Sequence, residues 1–244
     1  MKKISKILIT LLIIIAVSAL GLFVWQYDNI SALISGLNSS SEDLAVKMDD
    51  HRNKVKQEVE KYVSKPIMDI TSEDEEKLLK GEITVEEVAE KYNLPLEYMK
   101  DKDEAKDNKS EIKYTAPIKE TPPAAPDTSA VDEVISSSVG KMYALKAKYV
   151  NKLGELERAV VEEYKNLPKS KQNEDGKYNL VMKNIDYVAE LEEKCDKEVS
   201  SVLTSLKLEL EKFNGDKEII KILQNAYTKE KEVKKAYYLS LYKN

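Results

Sequence analysis

The sequence predicts an all-α protein. Its expected parts are an N-terminal single transmembrane helix, a small helical membrane-proximal region, a Pro-rich linker and an elongated antiparallel three-helix, coiled-coil-like C-terminal bundle. Three observations carry this. Residues 7–25 form one apolar run without a charge, in which only Thr10 and Ser18 are polar. Four of the seven prolines, Pro117, Pro122, Pro123 and Pro126, gather in one stretch. From residue 129 onward, apolar side chains recur at intervals of three and four, the spacing of one helix face.

The apolar run comes first. Nineteen residues make a helix of roughly 28 Å, close to the ~30 Å hydrocarbon core of a bilayer. Lys2, Lys3 and Lys6 precede it, and Trp25 and Tyr27 close it with rings suited to the interface. The expectation is a cytoplasmic tail over 1–6, a transmembrane anchor over 7–27 and an extracytoplasmic remainder at the cell membrane. A cleaved signal peptide is the rival reading. Val17-Ser18-Ala19 offers small residues for cleavage, and the product would be secreted. The apolar run continues past them through Leu22, Phe23 and Trp25, which favours the anchor. No Cys lies near residue 20, so a lipoprotein anchor is excluded.

Residues 28–99 form the membrane-proximal region. Ile30, Leu33, Ile34 and Leu37 extend the helical spacing. Ser41-Glu42-Asp43 then starts a helix running to about residue 64. Leu44, Met48, Val55, Val59 and Tyr62 share its apolar stripe, and His51 falls on the same stripe as a partly buried ring. Thr71 opens a short helix that Gly81 ends, and Thr84 with Glu87 forms a capping box for another over 85–92. This hairpin is expected to lie on the helix that begins at Ser41.

Val88, Ala89, Asn93, Leu94 and Met99 resemble the apolar-and-turn skeleton of a helix-turn-helix over about twenty residues. The resemblance would make residues 95–101 the recognition element. That element carries no Arg, Asn or Gln to read a base edge, and its approach holds Glu73, Asp74, Glu75, Glu76, Glu82, Glu86 and Glu87. No nucleic-acid partner is expected.

Residues 100–128 are a linker, first charged and then Pro-rich. Its Pro-rich half reaches up to about 45 Å if extended at ~3.1 Å per residue. Residues 129–244 form the three-helix bundle. The first helix is expected to end at Leu167-Pro168, and a polar loop over 169–177 leads into the second. The second helix is expected to run from about Tyr178 to Phe213, with Val181, Ile185, Val188, Leu191, Cys195, Val199, Val202, Leu206, Leu210 and Phe213 as its seam. Asn214-Gly215-Asp216 reads as a tight turn with Gly as the cap.

Composition bounds the chemistry. Charged residues are 34% and aromatics 7% of 244 residues, with net charge −5, which describes a solvated helical surface better than a large globular core. One cysteine, Cys195, excludes an internal disulfide and a thiolate metal cluster, and its place on a stripe predicts a buried, inert thiol. One histidine excludes HExxH-type zinc chemistry, and the seven glycines are scattered singly, so no phosphate loop is present. The chain is therefore read as not an enzyme, with no catalytic, cofactor-binding or metal-ligating residues and no cofactor.

Fourteen tyrosines against two phenylalanines is the one compositional skew. Tyr227, Tyr237, Tyr238 and Tyr242 gather in the last helix and are the candidate interaction face. Packing of these rings at seam edges is the competing reading. The expected role is a membrane-anchored structural or interaction protein of the cell envelope. A protein or envelope component is its expected partner, and a homo-oligomer is allowed. The alternative is a binding module for envelope polymer or a small ligand.

Overall fold

The computed structural model describes residues 39–65, 67–101 and 128–242. The anchor over 7–27 and nearly all of the linker lie outside the described residues. Among the described residues the fold is all-helical, without a strand. No helix among them is long and apolar enough to cross a membrane.

Three short helices come first: α1 (Ser41–Val59), α2 (Ser72–Lys80) and α3 (Val85–Tyr92). Their ends follow local chemistry. The Ser40 hydroxyl accepts from the Asp43 amide at 3.1 Å, and Thr71 accepts from the Asp74 amide at 3.2 Å. Both halves of the Thr84–Glu87 capping box form. Gly81 ends α2 in the left-handed region at φ 73°. Asn93 ends α3 the same way at φ 51°. Pro95 is then extended, and Leu96–Tyr98 forms a single 3-10 turn. The helix-turn-helix skeleton thus has its first helix and its turn but no α-helix in the recognition position.

Three long helices follow: α4 (Thr128–Asn166), α5 (Glu174–Lys212) and α6 (Glu218–Tyr242). The loop expected over 169–177 is shorter than predicted. Asn173 caps α5 by accepting from the Gly176 amide at 2.9 Å, so the helix begins four residues before Tyr178. At the α5–α6 turn Asn214, not Gly215, takes the left-handed conformation at φ 52°. Gly215 is needed for space: a Cβ there would lie 2.6 Å from Leu210 and 3.1 Å from Val131.

The helices pair in two antiparallel sets. In the first, α4 lies on α5, with Tyr164 beside Leu180 at one end and Lys148 bonded to Glu198 further along. In the second, α1 lies on α6. Leu44 meets Val233 and Ala236 at one end, and Val59 shares a cluster with Ile219 and Leu223 at the other. One apolar core holds Val59 and Val63 from before the linker together with Ile135, Leu206 and Leu223 from after it. The last helix therefore finds its main partner in α1, so the packing unit is wider than the three C-terminal helices expected from periodicity.

The α2–α3 hairpin lies on α4, where the Ser41 helix was the expected support. Ile70, Leu78, Val88 and Tyr92 pack on Ala144 and Ala147, whose short side chains admit close approach. Contact is tightest at Gly154, where a Cβ would fall 2.0 Å from the Leu79 carbonyl oxygen. Arg158 donates to that same carbonyl at 2.6 Å.

Candidate functional site

Although a short turn joins them, α5 and α6 make few close backbone approaches. The helix pair α4–α5 and the pair α1–α6 flank a half-open cavity of about 280 Å³. Its walls are mainly apolar and include Met142, Tyr149, Leu153, Val188, Leu191 and Leu223. Polar side chains reach it in two groups, one at each margin.

The inner group is a six-member charge cluster. Lys146 Nζ lies 3.0 Å from Asp69, 2.6 Å from Glu75 and 2.9 Å from Glu230. The Glu75 contact is an ion pair without hydrogen-bond geometry at that carboxylate oxygen. Arg52 donates to Glu75 at 2.7 Å and to Glu230 at 3.2 Å. Lys234 lies 3.0 Å from Glu75 and 3.3 Å from Glu230. Three cations thus face three carboxylates, drawn from α1, the segment before α2, α2, α4 and α6.

Burial and pairing compete in each member. Burial works to raise the Glu75 carboxyl, but Lys234, Lys146 and Arg52 outweigh it and hold it down at about 2. The same balance, with Lys146 foremost among the cations, keeps Glu230 well below the usual carboxylate range. Burial would lower Lys146, yet Glu75, Glu230 and Asp69 raise it. Asp69 goes the other way: burial lifts its carboxyl despite Lys146. Arg52 and Lys146 are both held in the charged form by the carboxylates around them, and the cluster clamps four helices at one point.

The outer group bridges α5 and α6 where they diverge. Tyr227 donates to Asp196 at 2.5 Å and to the Cys195 sulfur at 3.4 Å. Lys231 binds Asp196 at 2.8 Å and Glu192 at 3.1 Å, and Lys235 reaches Glu192 at 2.5 Å. The Lys231–Asp196 pair is the most open of these, with 28% and 45% of the two side chains exposed, whereas Lys235 and Glu192 are covered about as well as Lys234 and Glu230 in the inner group. Cys195 lines the cavity, and burial pushes its thiol up to about 11 despite the Tyr227 bond. A neutral thiol at ordinary pH is a poor nucleophile.

The tyrosines expected to form a face divide. Tyr227 turns inward to the cavity, and Tyr237 packs with Leu44, Val233 and Ala236. The side chains of Tyr238 and Tyr242 lie outside the described residues. Elsewhere Tyr149 donates to Glu198 at 3.2 Å, and Tyr92 donates to the buried Asp74. Tyr92, Tyr149 and Tyr227 each place the ring in an apolar seam and the hydroxyl on a carboxylate, a use that Phe cannot serve.

His51 sits at the edge of the cavity and of an open trough between α1 and α6. Its Nε2 lies 3.2 Å from the Ala226 carbonyl oxygen, which fixes that nitrogen as the donor. Among the described residues no three His, Cys, Asp or Glu side chains are placed to hold a metal ion. Sequence reasoning did not find the charge cluster. Its one local signal is that Lys146 and Lys148 interrupt an otherwise small and apolar run from Ala144 to Tyr149.

No protein-family model matches the chain, and neither a curated protein nor a solved structure matches it significantly.

Proposed function

We propose that this is a single-pass, membrane-anchored protein whose helical module works outside the cytoplasm as an interaction element of the cell envelope. The observation that carries the reading is the pairing of α1 with α6. In that pairing the start of α1, which follows the apolar run, lies beside the end of the chain's last helix. Force or position imposed at one end of such a module is transmitted by packing and by the buried charge cluster, as suits a tethered element that reaches and holds. The module is proposed to be not an enzyme, with a protein or envelope component as its partner and self-association allowed.

Crosslinking in intact cells, followed by identification of what the 128–242 region touches, tests this. The expected result is one specific partner or a self-adduct. Recovery of neither would contradict the reading.

A second reading is favoured by the cavity: the module binds a small ligand. The tyrosine face becomes secondary in that reading, because Tyr227 faces inward.

A further inference from the structure

The space between the two helix pairs has the properties of a chain-binding site. A cavity of ~150 Å³ lined by Leu, Ile and Phe stays dry and accepts benzene, a six-carbon molecule. The present cavity, about 280 Å³, is nearly twice that size. We propose that it binds a single alkyl or acyl chain of about ten to twelve carbons, whose polar head lies at the Lys231 and Lys235 bridges. The proposal rests on the ligand-binding reading and is independent of the anchor.

Four observations lead to that chemistry. The wall is apolar over most of its surface, with Met142 contributing a flexible thioether that adapts to an uneven occupant. The volume fits one chain and is too small for a two-chain lipid. At the inner end, Arg52, Lys146 and Lys234 are interlocked with Asp69, Glu75 and Glu230 between four helices, so a headgroup there would have to break several ion pairs that hold the fold together. The outer pairs are balanced in charge as well, but Lys231 and Asp196 are the most exposed of the groups around the cavity, and each bridge crosses from α5 to α6 by a long side chain that can swing without disturbing a helix. The tail then lies along the apolar wall to which Met142, Leu191 and Leu223 contribute.

Cys195 lines this cavity and is the chain's one cysteine, which makes it a reporter of occupancy. The full chain in phosphatidylcholine nanodiscs is exposed to methyl methanethiosulfonate, and the modified fraction is followed by intact mass. Sodium dodecanoate at ten times its Kd slows the reaction about tenfold by mass action, and butanoate does not. Val188→Phe, which fills the space, lowers the ligand-free rate to the protected one, and dodecanoate changes it no further. If that variant loses its cooperative thermal transition, Val188→Leu is read instead, with a partial loss of protection expected. Equal rates with and without dodecanoate overturn the proposal, as does equal protection by butanoate or full protection in a folded filled variant. Were the protein instead found in the soluble fraction, the anchor would fail and the same titration would still decide the cavity.

Discussion

Arg52 Nη2 donates to Glu230 Oε1 at 3.2 Å, joining residues 178 apart in the sequence. The bond crosses from the helix that begins the packed module to the helix that ends it. It sits within a cluster whose charges cancel, so the cluster's worth lies in its completeness. Replacing a whole buried ion set with apolar groups is often neutral, whereas removing one member strands the others.

Lys146→Met is the sharpest test of that cluster. It removes the cation that lies nearest to each of Asp69, Glu75 and Glu230, leaving Arg52 4.0 Å from Asp69. The expected loss is about 3–5 kcal/mol in urea unfolding monitored by far-UV circular dichroism. A loss no larger than a surface substitution gives would show that the three carboxylates are not held by Lys146.

Acid should release the same clamp. Glu75 is held down at about 2 from an ordinary 4.5, and Glu230 lies well below the ordinary value. Groups with depressed folded pKa contribute stability that is complete above the unfolded pKa and is lost as pH falls through the folded one. Asp69 is raised and acts in the opposite sense, so it offsets part of the loss. The helical signal should hold down to about pH 4.5 and decline between there and about pH 2. In Glu75→Gln the decline should be shallower.

Glu157 makes the contrary prediction at high pH. Burial pushes its carboxyl up to about 7, against Arg158 and Lys80. A raised carboxyl contributes stability that is present below the ordinary value of 4.5 and is lost as pH rises through 7. Glu157→Gln should therefore stabilise the protein at pH 8 by about 1 kcal/mol after screening, and by little at pH 4. Thermal melts at the two pH values measure the difference.

Gly154 tests the docking of α2 on α4. A Cβ there would meet backbone, the Leu79 carbonyl at 2.0 Å, which cannot rotate away. Gly154→Ala should cost about 2 kcal/mol, seen as a fall of roughly 6 °C in Tm, although alanine is the better helix former. Gly140→Ala, on the same helix, has only Pro95 within reach at 3.8 Å and should be neutral or stabilising.

What was legible in the sequence was what is local. Gly81, the Thr84–Glu87 box and the periodic stripes of α4 and α5 each declare themselves within a few residues, and each lies where periodicity placed it. The Asn173 cap was missed because its signature lies inside a stretch of polar residues that also reads as a loop. Asn214 replaced Gly215 as the left-handed residue because Asn tolerates that conformation and Gly was already required by Leu210 and Val131. The pairing of α1 with α6 could not be read at all: periodicity gives a helix its apolar face but not the partner that covers it. The charge cluster failed for the same reason, since Asp69, Glu75, Lys146 and Glu230 come from four separate segments, each among ordinary surface charges.

The anchored, outward-facing arrangement is the centre of the functional account. An impermeant amine reagent applied to intact cells measures it most directly, with Lys54, Lys197 and Lys221 as reporters because each exposes about 70% of its side chain. The account predicts that all three are modified without permeabilisation while the protein stays in the carbonate-washed membrane fraction. Modification only after the membrane is opened would contradict it.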